Sequence, residues 1–157
     1  MSGGSIAERQ QALLVARLQA ILVSNGYLSD MGARVYEERA HFDEADTFPL
    51  LNVQMVGEAV DGDQFGERIT ITRTWRVEVW RGVDDDLALA LLQDVKRALM
   101  DRGSLGNFDD EDGKLGALTY GGTEALAIEQ DGHGITGLSA TFSVKGPETW
   151  GEPRTAT

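Results

Sequence analysis

Residues 68–80 read Arg-Ile-Thr-Ile-Thr-Arg-Thr-Trp-Arg-Val-Glu-Val-Trp, and apolar and polar side chains alternate along this stretch. One set of alternate positions includes Ile69, Ile71, Trp75, Val77 and Val79. The other set holds Thr70, Thr72, Thr74, Arg76, Glu78 and Trp80. Because successive residues of a β-strand point to opposite faces, the stretch predicts a long strand with one face toward a core.

A helix is predicted near the start of the chain. Ser5 and Glu8 have the spacing of a capping box, in which both side chains bind free amides at a helix N-terminus. Asn25-Gly26 is typical of a helix C-terminus, so the helix is expected to extend that far. Apolar residues recur at helical intervals at Ile6, Leu13, Leu14, Leu18, Ile21 and Leu22. Polar residues that fall largely between them include Arg9, Gln10, Arg17 and Gln19. One apolar stripe is therefore expected to pack on a sheet.

A second helix is predicted after the long strand. Asp84, Asp85 and Asp86 precede it, at the end where the helix dipole favours negative charge. Its apolar positions are Leu87, Leu91, Leu92, Val95, Ala98 and Leu99. Basic residues occupy its other end, at Lys96, Arg97 and Arg102. Charge and periodicity thus predict the same helix.

Further strands are predicted on both sides of these elements. Before the long strand they are Ala33–Arg39 and a stretch that begins at Pro49 and includes Leu50 to Val56. Gly57–Glu67, rich in glycine and acids, is predicted to be a loop. After the second helix, an acidic turn at Asp109–Gly113 precedes three shorter candidates. These are Leu115–Tyr120, Ala125–Glu129 and Ile135–Val144, with Asp131-Gly132-His133-Gly134 as the hairpin loop between the last two.

The element order predicts an α+β fold, with an antiparallel or mixed β-sheet and the two main helices packed on one face. At 157 residues, the chain is expected to form one domain, from residue 1 to 146. Residues 147–157 have little to bury and are predicted to be a flexible tail.

Composition argues against several classes of function. The 26 Asp and Glu residues against 14 Lys and Arg give a net charge of -12, which repels phosphate backbones, so sequence-specific nucleic-acid binding is disfavoured. The chain has no Cys, which excludes disulfides and thiolate metal sites. Neither a secretory leader nor an apolar stretch long enough to span a membrane is recognised. The expectation is a protein without a membrane partner.

No catalytic pattern is found. Neither of the two His residues has the partner spacing of a nucleophilic triad or a zinc site. Phosphate-binding glycine motifs are absent, and the acidic runs at 61–72 and 108–119 do not fit a calcium-binding EF-hand loop. The segment from His41 to Asp46 places four potential metal ligands close together, which leaves a small metal-binding enzyme as a remaining alternative. We therefore predict a protein that is not an enzyme, with no catalytic residues, metal or cofactor.

Charge is unevenly distributed along the chain. Residues 40–67 contain seven acids and no Lys or Arg, whereas four of the 14 basic residues lie in or beside the long strand, at Arg68, Arg73, Arg76 and Arg81. Two unlike surfaces would favour correct registry in a head-to-tail ring. Arg76 and Trp80 share a strand face and are the candidate contact surface, because Arg and Trp are enriched at interface centres. Alternatively, these arginines pair with neighbouring strands inside one subunit, and Arg73 is the stronger candidate for that role.

Three segments carry a resemblance to a known family. They are the capped helix ending near Asn25-Gly26-Tyr27, the strand Phe48-Pro49-Leu50-Leu51-Asn52-Val53, and the strand Thr70–Trp80 continuing through Arg81-Gly82-Val83-Asp84-Asp85-Asp86 into the helix Leu91–Leu99. This layout, over roughly residues 5 to 100, resembles the phage tail terminator or tail completion proteins, a class that includes the minor tail protein U group.

The resemblance implies a virion structural protein at the head-proximal end of the tail, present in the host cytoplasm during assembly. It implies a homo-oligomeric ring, typically hexameric, that binds the tail tube protein, stops tube polymerisation and presents a surface to the head-tail connector protein. DNA would only pass through its channel. The loop Gly57–Glu67 would reach a neighbouring ring, with Asp61, Asp63 and Phe65 as contact residues. Another neck or head-completion connector protein is the closest alternative, and a soluble binding domain of unknown partner is a further one.

Overall fold

The computed structural model describes residues 4–40, 46–61, 68–82, 88–100, 107–130 and 133–149. Helix α1 spans Ile6–Gln19 and helix α2 spans Ala88–Met100. Six strands form one sheet in the order β1-β2-β3-β6-β5-β4. Their bounds are β1 Val35–Glu37, β2 Leu50–Asp61, β3 Arg68–Gly82, β4 Asn107–Asp110, β5 Gly113–Gln130 and β6 His133–Thr149.

The sheet is mixed. Strand β1 is parallel to β2, and all other neighbouring pairs are antiparallel. The β2–β3 hairpin and the β5–β6 hairpin meet along β3 and β6, whose paired residues extend from Arg68 opposite Thr149 to Gly82 opposite Thr136. The predicted α+β class with a mixed sheet is confirmed.

Both helices pack on the face of β3 that carries Trp75, Val77 and Val79, as predicted. One continuous core joins that face to α1 and α2. Its helix members are Ile6, Leu14, Val15, Leu18, Leu91, Leu92, Val95, Ala98 and Leu99. A second, smaller cluster lies elsewhere in the sheet and consists of Leu50 and Trp80, with Tyr36, Phe48 and Leu126 against them.

Helix α1 begins as predicted but ends earlier. The Ser5 hydroxyl accepts a hydrogen bond from the Glu8 amide at 3.2 Å, and the reciprocal contact completes the capping box. The helix ends at Gln19, because Leu22 is already extended (φ -137°, ψ 143°). Gly26, at φ 88°, closes a separate 3-10 turn formed by Val23–Asn25, so the predicted C-cap glycine ends that turn instead of the helix.

Several strand boundaries differ from the prediction. Strand β2 continues to Asp61, so residues 57–61 of the predicted loop lie in the sheet. The candidates Leu115–Tyr120 and Ala125–Glu129 are parts of one strand, β5, and β4 was not predicted. The predicted β5–β6 hairpin forms, but His133 and Gly134 already belong to β6, opposite Gln130 and Glu129.

The predicted C-terminal tail is also corrected. Strand β6 reaches Thr149 and its residues 147–149 pair with β3, so the domain extends three residues beyond the predicted end at 146. Glu148 is buried there in an ion pair with Arg73 of β3, and this pair ties the end of β6 to the sheet. Residues 150–157 lie outside the described residues.

Candidate assembly surfaces

The face of the sheet opposite the two helices, here called the helix-free face, is polar. The pairing registers place Thr70, Thr72, Thr74, Arg76, Glu78 and Trp80 of β3 on it. Opposite them on β6 lie Pro147, Lys145, Ser143, Thr141, Ser139 and Gly137. Small side chains and hydroxyl groups dominate the middle of this face, and no described helix covers it. Such a surface is suited to contact with another polar surface, and it lacks the concave apolar shape of a small-molecule site.

Arg76 lies near the middle of the helix-free face and its side chain is 40% exposed. Its Nη2 donates to Gln54 Oε1 at 2.7 Å, and its Nε lies 3.3 Å from Glu78 Oε2. The carboxylate of Glu78 is buried beneath the guanidinium of Arg76. The positive charge that Arg76 presents at the surface is therefore balanced by Glu78. Arg76 is accessible to a partner, and its role as a contact residue stays a prediction.

Glu78 belongs to a buried polar network that fixes the chain after β1. The Asn52 amide nitrogen donates to Glu78 Oε1 and to the Arg39 carbonyl, both at 2.8 Å. Asn52 Oδ1 accepts from the Arg39 backbone N–H at 3.1 Å. A buried amide satisfied on both sides holds its partners in one geometry. Asn52 thereby fixes residue 39 against β2 and orients Glu78 below Arg76.

Trp80 does not fit the predicted contact surface. Its side chain is only 3% exposed and packs in the smaller apolar cluster with Leu50. Its indole N–H donates to Glu78 Oε1 at 3.3 Å. Alternation in β3 places Trp80 on the same face as Arg76, as predicted. It is buried because Tyr36, Phe48 and Leu126 cover this end of the face, so Trp80 stabilises the subunit instead of contacting a neighbour.

The remaining predicted contact residues lie at or beyond the end of β2. Asp61 is exposed, and its carboxylate forms a salt bridge with Lys145 Nζ at 3.2 Å. An exposed pair of this kind is worth little in stability, about 0–1 kcal/mol. Asp63 and Phe65 lie outside the described residues. Of the five predicted residues, Asp61 and Arg76 therefore share the helix-free face with accessible side chains.

Arg73 pairs inside the subunit, as the alternative interpretation anticipated. It lies on the helix side of β3 and its guanidinium binds Glu148 at 2.8 Å, Glu58 at 2.9 Å and Gln10 Oε1 at 3.2 Å. Burial lowers the pKa of Arg73, but the hydrogen bonds and charges of Glu148 and Glu58 outweigh burial, so the pKa of Arg73 is raised. Gln10 also donates to the Leu115 carbonyl at 2.9 Å, so one network joins α1 to strands β2, β3, β5 and β6.

A second buried ion pair connects α1 to the β4–β5 hairpin. Arg9 Nε donates to Asp110 Oδ2 at 2.8 Å. The hydrogen bond to Asp110 is the main cause that raises the pKa of Arg9, against the lowering effect of burial. Arg9 and Gln10 are both buried, although their polar character suggested an outer position on the helix. Their spacing could have indicated this burial, because Arg9 and Gln10 lie three and four residues after Ile6, and Gln10 lies four residues before Leu14, on the same face of the helix.

Two long stretches of strand edge are left without a partner among the described residues. Strand β1 pairs only with Leu51–Val53, so no described strand covers β2 from Met55 to Asp61, a stretch we call the β2 edge. At its start the Met55 N–H already donates to the Glu38 side chain. Strand β4 reaches only as far as Ala117, so β5 is uncovered from Thr119 to Leu126, which we call the β5 edge. Unpaired strand edges are templates for pairing with another chain.

Each edge also exposes apolar side chains at a β-bulge. Met55 and Val56 are 41% and 50% exposed beside the bulge of β2, and Tyr120 is 37% exposed beside the bulge of β5. Both bulges lie at one level of the sheet, because Met55, Trp75, Phe142 and Tyr120 are successive partners across four strands. Trp75 and Phe142 are fully buried, so this apolar row is exposed only at its two ends.

A shallow groove runs beside the β2 edge. It has a volume of about 330 Å³ and lies between α1 and the sheet, with Glu8, Gln11, Glu37 and Met55 among its lining residues. Trp75 reaches toward this side, where its indole N–H donates to Gln11 Oε1 at 3.1 Å. The groove adds concave surface, with two acids, to the side of the molecule where the β2 edge is uncovered.

The described residues show neither a metal-binding cluster nor a membrane-spanning helix. The described residues contain no group of three or more His, Asp or Glu side chains placed to hold a metal ion. Most of the cluster at His41–Asp46 lies outside the described residues, and Asp46 itself accepts a hydrogen bond from Arg39 at 2.7 Å. In the described part of the chain, neither helix has the length and apolar character needed to cross a bilayer.

No protein-family model matches the chain, and no curated protein matches its sequence.

Proposed function

We propose that the protein is a structural subunit of a phage tail, a terminator that forms a hexameric ring on the end of the tail tube. The observation that supports this best is the pair of uncovered edges, because they lie on opposite sides of one sheet and differ in sequence. Two different surfaces that complement each other generate head-to-tail contacts, and such contacts close into a ring when the rotation between subunits permits.

The position of the helices sets the orientation of subunits in the ring. In the proposed ring the two helices lie outside the sheet, as the helices of a (β/α)8 barrel form a layer around its strands. The helix-free face then faces the channel. Its central charges are balanced in pairs, Arg76 with Glu78 and Lys145 with Asp61, and its hydroxyl groups carry no charge. A wall of this kind does not hold the phosphate backbone of a passing genome.

The ring ends would bind the tail tube protein on one side and the head-tail connector on the other. Asp61 lies at the end of the β2–β3 hairpin, which extends along the strand direction and would reach a neighbouring ring. The acidity of the chain, at a net charge of -12, favours a partner with a basic contact surface.

The test is assembly of the purified protein with a tail tube protein. Light scattering should detect either a ring or a monomer that forms rings on the tube. Negative-stain images of the protein with the tube protein should show tubes that are capped or limited in length. Tubes that grow to the same lengths with and without the protein would contradict the proposal.

A different neck or head-completion connector is the second candidate, supported by the same small acidic fold. Pull-down against the tube protein and the portal-side protein separates the two, since a connector would retain the portal-side protein alone. A metal-dependent enzyme has only the 41–46 cluster in its favour. Calorimetry with calcium, magnesium, manganese and zinc at millimolar concentration tests it, and absence of heat would remove it.

A further inference from the structure

We infer that neighbouring subunits are joined by one continuous β-sheet, in which the β5 edge of one copy pairs antiparallel with the β2 edge of the next. This inference rests on the proposed ring and specifies the contact that would build it. The occupant of each edge is thus a second copy of this chain.

Strand direction permits the pairing. Strand β2 is antiparallel to β3, β3 to β6, and β6 to β5, so β2 and β5 run in opposite directions within one subunit. Placing copies side by side with the same orientation therefore brings an antiparallel β5–β2 pair together. No subunit has to be inverted, and the helices of all copies remain on the same side of the joined sheet.

The backbone groups at the β2 edge point outward for such a pair. Leu51 N–H donates to the Arg34 carbonyl and Met55 N–H to Glu38 Oε1, both at 2.9 Å, so alternate residues of β2 direct their amides away from β3. Continued past the bulge, this alternation assigns Glu58 and Val60 to the same outward set.

The registers of β3 with β6 and of β6 with β5 show which residues of the β5 edge direct their backbone groups away from β6. They are Tyr120, Thr123 and Ala125. These residues and Glu58 lie on the helix side of the sheet, because their partners lead to odd-numbered residues of β3. A residue of the β5 edge whose backbone groups point outward can therefore pair with such a residue of the β2 edge in the next copy. The helices of the two copies then lie on the same side of the joined sheet.

The covered parts of the two edges determine the stagger. Strand β1 blocks the N-terminal part of β2 and β4 blocks the start of β5, so the two free stretches align only if one copy slides along the strands. Glu58 is level with Arg73, whereas Thr123 and Ala125 are level with Val77 and Val79. The offset is four or six residues along β3, about 13–20 Å at 3.3 Å per residue. A closed barrel accommodates such an offset as shear, with its strands tilted to the ring axis.

Side chains at the two edges are complementary. Met55 and Val56 are exposed on the β2 edge, and Tyr120 is exposed on the β5 edge, so their pairing would cover apolar surface on both sides. Lys96 Nζ lies 5.1 Å from the centre of the Tyr120 ring, on the helix side. Glu58 lies on the helix side of the β2 edge, in a group with Glu148 and Arg73 whose net charge is -1. Opposite charges thus meet across the proposed contact.

Cysteine cross-linking tests the inference directly, since the natural chain has no Cys. Val56→Cys places a thiol on the β2 edge and Ala125→Cys places one on the β5 edge. With a short bismaleimide, a mixture of the two single variants should give a covalent dimer, and each variant alone should give none. The double variant should give a ladder of dimer, trimer and higher bands. Ala117→Cys is the matched control, being an exposed alanine of β5 in the part that β4 covers.

The outcomes separate this inference from the proposed function. Rings that cap tubes but give no ladder would overturn the edge pairing and leave the terminator function standing. A ladder with tubes of unlimited length would support the pairing and count against the terminator. Dimers from either single variant alone would indicate a two-fold contact between like edges, and this would also overturn the inference.

Discussion

Arg73 of β3 and Glu148, near the end of β6, form a buried ion pair with 2.8 Å between Arg73 Nη1 and Glu148 Oε1. Both side chains are more than nine-tenths buried. The pair also explains why the sheet extends past residue 146, because an unpaired buried charge is far more costly than a paired one.

Replacing Arg73 with Leu should therefore destabilise the protein by about 3–5 kcal/mol, since Glu148 is left buried without its partner. The double variant Arg73→Leu/Glu148→Leu should recover a large part of that loss. Urea unfolding followed by circular dichroism measures both. Lys145→Met is the control, because the exposed Lys145–Asp61 pair contributes only about 0–1 kcal/mol. Equal stability of the two Arg73 variants would show that the ion pair is not what makes Arg73 important.

Trp80→Ala should lower stability without a specific effect on assembly. Trp80 is buried against Leu50 within the subunit, and Trp→Ala changes in cores cost about 3–5 kcal/mol. Trp80→Phe should retain much of the stability, because it keeps an aromatic ring in the cluster. Thermal unfolding measures the stability of each variant, and light scattering of the folded variant measures its assembly. A Trp80→Phe protein that folds with native stability yet fails to assemble would restore Trp80 as a contact residue.

The elements with regular periodicity were predictable from the sequence. The alternation of residues 68–80, the capping box at Ser5 and the charge gradient of the second helix each indicated an element that the structure contains. The apolar face of β3 also identified Trp75, Val77 and Val79 as core residues and hence the side on which the helices pack. Local pattern sufficed there because propensity, period and capping agreed.

Glycines at bulges caused the main errors in the strands. Gly57 follows the bulge of β2, and Gly121-Gly122 forms the bulge of β5, so both strands continue where glycine suggested a loop. A bulge uses the same conformational freedom as a turn, but pairing with the neighbouring strand preserves the ladder on either side. That pairing is a long-range property, which a single sequence does not encode locally.

The buried polar network was unpredictable for a related reason. Arg9, Gln10, Arg73 and Glu148 are residue types that usually face solvent, and they are buried because partners distant in sequence satisfy them. Of the candidate contact residues, the same effect moved Trp80 into the subunit. The two uncovered edges follow from strand lengths and order, which the sequence alone did not provide.

Gly137→Ala should be strongly destabilising. Gly137 of β6 lies so close to β3 that an added Cβ would clash with the carbonyl oxygen of Val79. The two strands would have to separate beside Trp80, and we expect a loss of at least about 2 kcal/mol from such overpacking. Gly57→Ala is the matched control, because a Cβ there meets no atom within 4 Å. Chemical denaturation of both variants should show a large loss for Gly137→Ala and a small change for Gly57→Ala.

Thr123→Pro should abolish assembly while leaving the subunit folded. The Thr123 N–H points away from β6 in the inferred alternation, so proline removes no hydrogen bond of the β5–β6 ladder but deletes the central donor of the β5 edge. Thr123→Ala controls for the hydroxyl, which shares a hydrogen bond with Tyr120, and should assemble normally. Glu124→Pro would remove a hydrogen bond of the β5–β6 ladder and should cost at least about 1 kcal/mol of stability. Light scattering for assembly and urea unfolding for stability distinguish the three variants. If Thr123→Pro assembles like Thr123→Ala, the β5 edge does not pair through its backbone, and the contact between subunits must lie on another surface.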